Sequence, residues 1–266
     1  MPLRLSPTLR DALATATRPL AGIWVCSGST VAAEIVAGSG IDWLLIDQEH
    51  GPNDLGTTLL QLQAVAAYPV TPVVRVPSHD PVTIKQVLDL GAQTLLVPMV
   101  STAEQARELV RAVHYPPRGI RGVGSALARS ARWNRVDDYL AEAAKHVSLL
   151  VQVETAEGVD AAADIAAVDG VDGVFVGPSD LAASMGLLGQ QTHPEVVAAV
   201  HRAFAGVRAA GKPVGVNAFD PAVAQAYLDA GASFVLVGAD VALLARSTEA
   251  LAARFTAAEQ EERGSY

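Results

Sequence analysis

Two carboxylates and an imidazole stand together at the end of an apolar run, Leu44-Leu45-Ile46-Asp47-Gln48-Glu49-His50-Gly51-Pro52. The run reads as a buried strand, and the charged cluster then lies just past its carboxyl end, where parallel α/β folds place their chemistry. The pattern recurs. Val73-Val74-Arg75 ends in a cation, Leu149-Leu150-Val151-Gln152-Val153-Glu154 in an amide and an acid, and Val174-Phe175-Val176-Gly177-Pro178-Ser179-Asp180 in an acid. His50 is the candidate base, with Asp47 three residues earlier able to orient it and Glu49 able to hold the loop. Arg75 offers a planar cation suited either to a developing oxyanion or to an ion pair with Asp47 or Glu49. Glu154 and Asp180, on adjacent strand ends, can share one hard divalent cation such as magnesium, manganese or cobalt. Gln152 lies on the same inward-facing edge. Either acid alone is better explained by a helix cap or an arginine partner; the constellation with Gln152 favours the metal.

Asp180 also opens a helix, so the amides around Ser179 and Asp180 would meet a bound carboxylate, and an anionic substrate is implied. These parts serve one reaction class. A 2-oxo acid chelated to a divalent ion through its keto oxygen and carboxylate has an acidified neighbouring carbon. A base moves the proton and an arginine steadies the enolate, so a carbon–carbon bond can be made or broken. Other chemistries lack their residues. The lysines are Lys85, Lys145 and Lys212; the last two precede strands and Lys85 falls within a helix, so none is placed for imine formation at a strand end. Asp220 and Asp240, where barrels of this class often bind phosphate, would repel one. Cys26 reads as a small core residue.

The elements that must position these groups are short Val/Ile/Leu runs at 22–25, 43–46, 72–76, 94–97, 148–153, 173–176, 213–216 and 234–237. Between them lie Ala-rich segments of helical spacing: Val31 to Ala37, Leu55 to Ala67, Ala103 to Val113, Pro194 to Ala210 and Pro221 to Ala230. Alternating strand and helix predicts a parallel sheet, and eight such units predict an α/β fold closed as a single (β/α)8 TIM barrel over 1–266. An open doubly wound sheet is the alternative, but no Gly-x-Gly-x-x-Gly follows the first strand. Gly40, Gly91, Gly211 and Gly231 fall where left-handed helix caps are expected, and Asp54, Asp80 and Asp220 where helices start. Residues 1–19 read as a leading helix covering one end of the barrel, a transit peptide being the other option, and 259–266 as a tail. Asp89 sits near the carboxyl end of a helix, where the dipole disfavours an anion, so a compensating cation from a loop or a neighbouring subunit is expected.

One insertion breaks the rhythm. Residues 114–135 carry Arg118, Arg121, Arg129, Arg132 and Arg135 among glycines, which suggests a subunit contact or an active-site rim. The formal charge of −9 argues against nucleic acid, and no apolar run approaches a membrane span, so the expected partners are small molecules and further copies of the chain. A single cysteine fits a reducing cytoplasm.

Along nearly its whole length the chain resembles the metal-dependent class II pyruvate aldolases of the 4-hydroxy-2-oxoheptanedioate aldolase and 2-dehydro-3-deoxyglucarate aldolase family. The resemblance rests on Asp47-Gln48-Glu49-His50-Gly51-Pro52-Asn53, Val73-Val74-Arg75, the stretches 93–100 and 115–126, Gln152-Val153-Glu154-Thr155 and Gly177-Pro178-Ser179-Asp180-Leu181. It implies His50 as base, Arg75 as transition-state cation, Asp89 as the acid supporting the histidine with Asp47 close by, and Glu154 and Asp180 as metal carboxylates. Gln152 and the backbone at Ser179 and Asp180 would hold pyruvate. It also implies a homohexamer of trimers that exchange terminal helices, with the segment Val241 to Ala258 as the exchanged helix. Ser179 stands where relatives often have alanine. Asn217 and Phe219 stand where a more apolar lining is expected for long dicarboxylate semialdehydes, so the acceptor stays open. Oxaloacetate decarboxylation, a coenzyme A thioester lyase using the arginine-rich loop as a nucleotide groove, and a non-catalytic binding barrel are the alternatives.

Overall fold

In the computed structural model, which describes residues 3–256, the strands β1 (Leu20–Val25), β2 (Trp43–Asp47), β3 (Thr71–Arg75), β4 (Thr94–Val97), β5 (Ser148–Val153), β6 (Gly173–Val176), β7 (Val214–Asn217) and β8 (Phe234–Ala239) close into a parallel barrel. They pair in chain order, with β8 returning to β1. The expected strand runs are all present, displaced by two residues or fewer at any end. Helices α1 (Leu9–Thr15), α2 (Thr30–Ala37), α3 (Leu55–Ala64), α4 (Pro81–Asp89), α5 (Ala103–Val113), α6 (Tyr139–Glu142), α7 (Ala156–Asp160), α8 (Ala162–Ala166), α9 (Pro178–Ser184), α10 (Pro194–Ala209), α11 (Pro221–Asp229) and α12 (Asp240–Thr256) surround it. Buried Val, Leu and Ala side chains fill the layer between sheet and helices, and a second cluster of larger side chains, including Trp24, Trp43, Phe175 and Phe234, fills the barrel interior.

The punctuation follows the residues. Gly40, Gly91, Gly211 and Gly231 all adopt positive φ, and Asp54, Asp80 and Asp220 accept amides at the starts of α3, α4 and α11. Asp220 is therefore occupied as a cap. Helix α1 opens with a capping box between Thr8 and Asp11 and covers the amino-terminal end of the barrel as expected. Leu9 is fully buried, its amide bonds the Thr94 hydroxyl at the start of β4, and Arg10 donates to the Val147 carbonyl ahead of β5.

The 114–135 segment leaves α5 through irregular chain and one 3-10 turn, Arg129–Ala131, and leads into α6 ahead of β5. It lies against the carboxyl end of α4. Arg129 donates to the Leu90 carbonyl, and the fully buried Arg121 pairs with Asp89 at 3.2 Å. Arg121 is the cation that Asp89 was expected to need. This placement corrects the active-site-rim option: within one chain the loop sits at the amino-terminal end of the barrel, and it supplies no nucleotide groove beside the strand ends. Burial and the neighbouring Arg132 lower the Arg129 pKa to about 10. The tail at 259–266 and the last residues of the segment ending at Ala258 lie outside the described residues. Among the described residues no helix is long and apolar enough to cross a membrane.

Candidate active site

The ends of β2, β3, β5 and β6 bring the expected groups to one mouth of the barrel. Asp47 and Arg75 occupy paired positions in the β2–β3 register, so their side chains rise side by side. Both Asp47 oxygens are taken by Arg75, Nε donating to Oδ1 at 2.8 Å and Nη2 to Oδ2 at 2.7 Å. Arg75 Nη1 lies 2.7 Å from Glu49 Oε2 as an ion pair whose angle falls outside hydrogen-bond geometry. The guanidinium also stacks on the Trp24 ring, 4.3 Å from its centroid.

Two expectations change here. Asp47 does not orient His50, because its carboxylate faces Arg75; the acid nearest His50 is Glu49, 3.9 Å from Nε2. The His50 side chain itself is 66 % exposed and open to the mouth. Asp89 ends α4 at the opposite end of the barrel, so it does not approach the His50 of its own chain.

The loop carrying His50 is held by residues whose role the sequence did not announce. Asn53 donates to the Asp47 carbonyl at 2.6 Å and accepts from buried Gln61. A Cβ on Gly51 would stand 2.6 Å from the same carbonyl, so only glycine fits that turn. Asp240, weighed only as an obstacle to phosphate, accepts from the amides of Cys26 and Ser27 and fixes the β1–α2 turn.

Glu154 directly follows β5 and is buried, with Oε1 accepting the Met99 amide at 2.6 Å and Oε2 accepting from Gln152 Nε2. Met99 holds a left-handed backbone at φ 58°, an uncommon state for a side chain of its kind, and that turn delivers its amide to the carboxylate. Burial pushes the Glu154 carboxyl up to about 7, opposed by the bonds from Gln152 and Met99 and reinforced by the charges of Asp180 and Glu49. Burial likewise raises Glu49. Ser179 and Asp180 are exposed in the first turn of α9, and no side chain caps that helix. The Cys26 thiol is pushed up to about 12 by burial, with Asp47 and Asp240 adding to it, which removes it as a nucleophile.

Residues 20–247 match the family model described as HpcH/HpaI aldolase/citrate lyase. The chain belongs to that family. It is 57% identical over 248 residues to a 4-hydroxy-2-oxo-heptane-1,7-dioate aldolase of Salmonella arizonae, a match covering 93% of this chain and 94% of the relative. Among solved structures, an HpcH/HpaI aldolase/citrate lyase family protein from Burkholderia cenocepacia superposes with a TM-score of 0.89 at 44% identity, over 92% of this chain and 98% of that one. The citrate synthase SbnG follows with a TM-score of 0.83 at 28% identity, over 93% and 96%. The family is one of carbon–carbon lyases, and its class II aldolases imply a divalent metal.

The residues present fit such an ion. The charges of Asp180 and Glu49 reach Glu154 and help to raise it, and among the described residues the buried Oε1 of Gln152 has no hydrogen-bond partner. A Cβ on Gly177 would come 2.7 Å from Glu154 Oε2, so the glycine keeps the carboxylate clear. Among the described residues no three His, Cys, Asp or Glu side chains converge, so most positions around an ion would fall to water and substrate. A pH dependence follows. The folded pKa of Glu154, about 7, lies above its ordinary 4.5, so the metal-free fold binds the extra proton. Its contribution to stability is therefore full below pH 4.5 and is lost as pH rises toward 7. In calorimetry, metal-free protein is expected to lose thermal stability across that window, and added divalent ion to restore it most above pH 7. A metal-induced shift independent of pH would refute this assignment.

Proposed function

We propose that the chain is a divalent-metal-dependent aldolase that reversibly cleaves a 4-hydroxy-2-oxo acid into pyruvate, or 3-hydroxypyruvate, and an aldehyde. The observation that carries this reading is the placement of Glu154 just past β5 and of Asp180 in the helix that follows the adjacent β6, close enough for their charges to repel, with Arg75 held by Asp47 in the same mouth. Glu154 and Asp180 would hold Mg2+, Mn2+ or Co2+, which when bound supplies a Lewis acid for the keto oxygen and carboxylate of a 2-oxo acid.

The side chains divide the remaining work. The uncapped amides at Ser179 and Asp180 receive the substrate carboxylate, and Gln152 flanks it from β5. Of the five N–H groups of Arg75, two bond Asp47 and one faces Glu49, leaving two for the oxygen on which negative charge develops. In the cleavage direction His50 takes the C4 hydroxyl proton, the C3–C4 electron pair moves onto the donor fragment, and the aldehyde departs. His50 then returns a proton to C3. Its openness suits a base that must meet varied aldehydes. A copy of the chain is the only source from which Asp89 could support His50. Assembly into a homohexamer is part of the proposal, supported by the exposed Leu243, Leu244, Leu251 and Phe255 on α12.

The test is proton NMR of pyruvate and of 3-hydroxypyruvate in D2O with chelator-stripped protein, before and after magnesium. Metal-dependent loss of the C3 proton signal is expected, and His50→Asn should slow it by about 10²- to 10⁴-fold, the usual worth of a general base. No exchange with either acid, despite measured metal binding, would remove the reading.

A further inference from the structure

We infer that Asn217, on β7, is a positioning residue that sets the Arg75 guanidinium by fixing the indole of Trp24; this rests on the aldolase reading above. Asp47 bonds Arg75 at the edge of its guanidinium and Glu49 forms an ion pair with it, so both direct it within its own plane. Neither contact restrains movement out of that plane. The surface that does is the Trp24 ring, against which the guanidinium carbon rests at 4.3 Å.

Trp24 comes from β1, while Asn217 belongs to β7, which pairs with β6 and β8 but not with β1. The indole therefore reaches past β8, and its Nε1–H donates to Asn217 Oδ1 at 2.8 Å. Trp24 is 7 % exposed and Arg75 5 %, so both sit in a setting where a buried N–H needs its acceptor. Phe175 packs against the ring edge-on at 6.4 Å and leaves the hydrogen bond as the polar restraint on its rotation. The chain of contacts Asn217 to Trp24 to Arg75 thus links the seventh strand to the cation on the third without Asn217 touching the reacting atoms.

The test is a double-mutant cycle in the metal-loaded protein, with Asn217→Leu, Trp24→Phe and the double variant, reading kcat and KM for the 2-oxo acid. Asn217→Leu should lower kcat by about 10-fold, within the range that a displaced catalytic group costs, with KM changed less. In the Trp24→Phe background the same substitution should have no further effect on kcat. Independent effects of the two substitutions, or an unchanged kcat in Asn217→Leu, would overturn the inference. A second readout separates this failure from failure of the aldolase reading. Hydrogen exchange of the Trp24 indole N–H and the Arg75 Nε–H, followed by NMR, should accelerate at both sites in Asn217→Leu. Faster exchange at Trp24 alone would overturn the link whatever reaction the protein catalyses.

Discussion

Arg75→Lys is expected to lower kcat by about 10²- to 10³-fold, the loss seen when one oxyanion donor is removed from a preorganised site, while the barrel stays folded. Lysine keeps the positive charge that Asp47 and Glu49 require. It loses the fork that engages both Asp47 oxygens, the planar face that lies on Trp24, and the two N–H groups left over for substrate. Alanine would be a poorer probe, because Asp47 is 1 % exposed and a buried carboxylate stripped of its partner costs about 3–5 kcal/mol. Steady-state kinetics with circular dichroism on Arg75→Lys checks the expectation. Turnover within a few-fold of the parent would show that charge alone suffices and that the guanidinium geometry is incidental.

Glu154→Gln is expected to remove metal-dependent turnover while raising thermal stability above pH 7. The carboxylate is held in a buried place beside Asp180 and Glu49, where its charge is disfavoured, and the neutral amide escapes that penalty. The amide also fits. Its oxygen can accept the Met99 amide as Oε1 does, and Gln152, whose own Oε1 has no partner, can turn to accept from the new NH2. Isothermal titration with Mn2+ and a melting curve at pH 8 test both halves. Retained Mn2+ affinity would remove Glu154 from the ligand set; a lower melting temperature would mean that its contacts with Met99 and Gln152 outweigh its desolvation.

The barrel was legible because each local signal agreed with the others. The eight apolar runs, the aspartates at helix starts and the glycines past helix ends all pointed to the same parallel closed sheet. The strand-end residues were legible for the same reason, since polar groups directly after buried strands have few other places to go. What the sequence left hidden depends on contacts between elements far apart in the chain. Asp47 read as a partner either of His50, three residues on, or of Arg75, and it is the β2–β3 register that gives it to Arg75. Nothing local marks Trp24, because its contact with Arg75 and its bond to Asn217, 193 residues away, exist only in the closed barrel. The arginine-rich loop read from composition as a subunit contact or a rim, and its position between α5 and β5 assigns it to the amino-terminal end of the barrel, away from the rim of its own chain.

Helix α1 carries a consequence for how the molecule is made. It precedes the other described helices in the chain, and at 7 residues it is too short to persist in water before it docks, even with its capping box. Its docking partners come much later. Leu9 meets Thr94, 85 residues on, and Arg10 meets Val147, 137 residues on, with Asp172 3.5 Å from the same guanidinium. At roughly 5–20 residues per second, translation keeps the helix waiting on the order of ten seconds before the strands that seat it exist. A helix near the front of the chain is thus among the late ones to settle, and Arg10 lacks the carbonyl that anchors it until more than half of these residues have been synthesised.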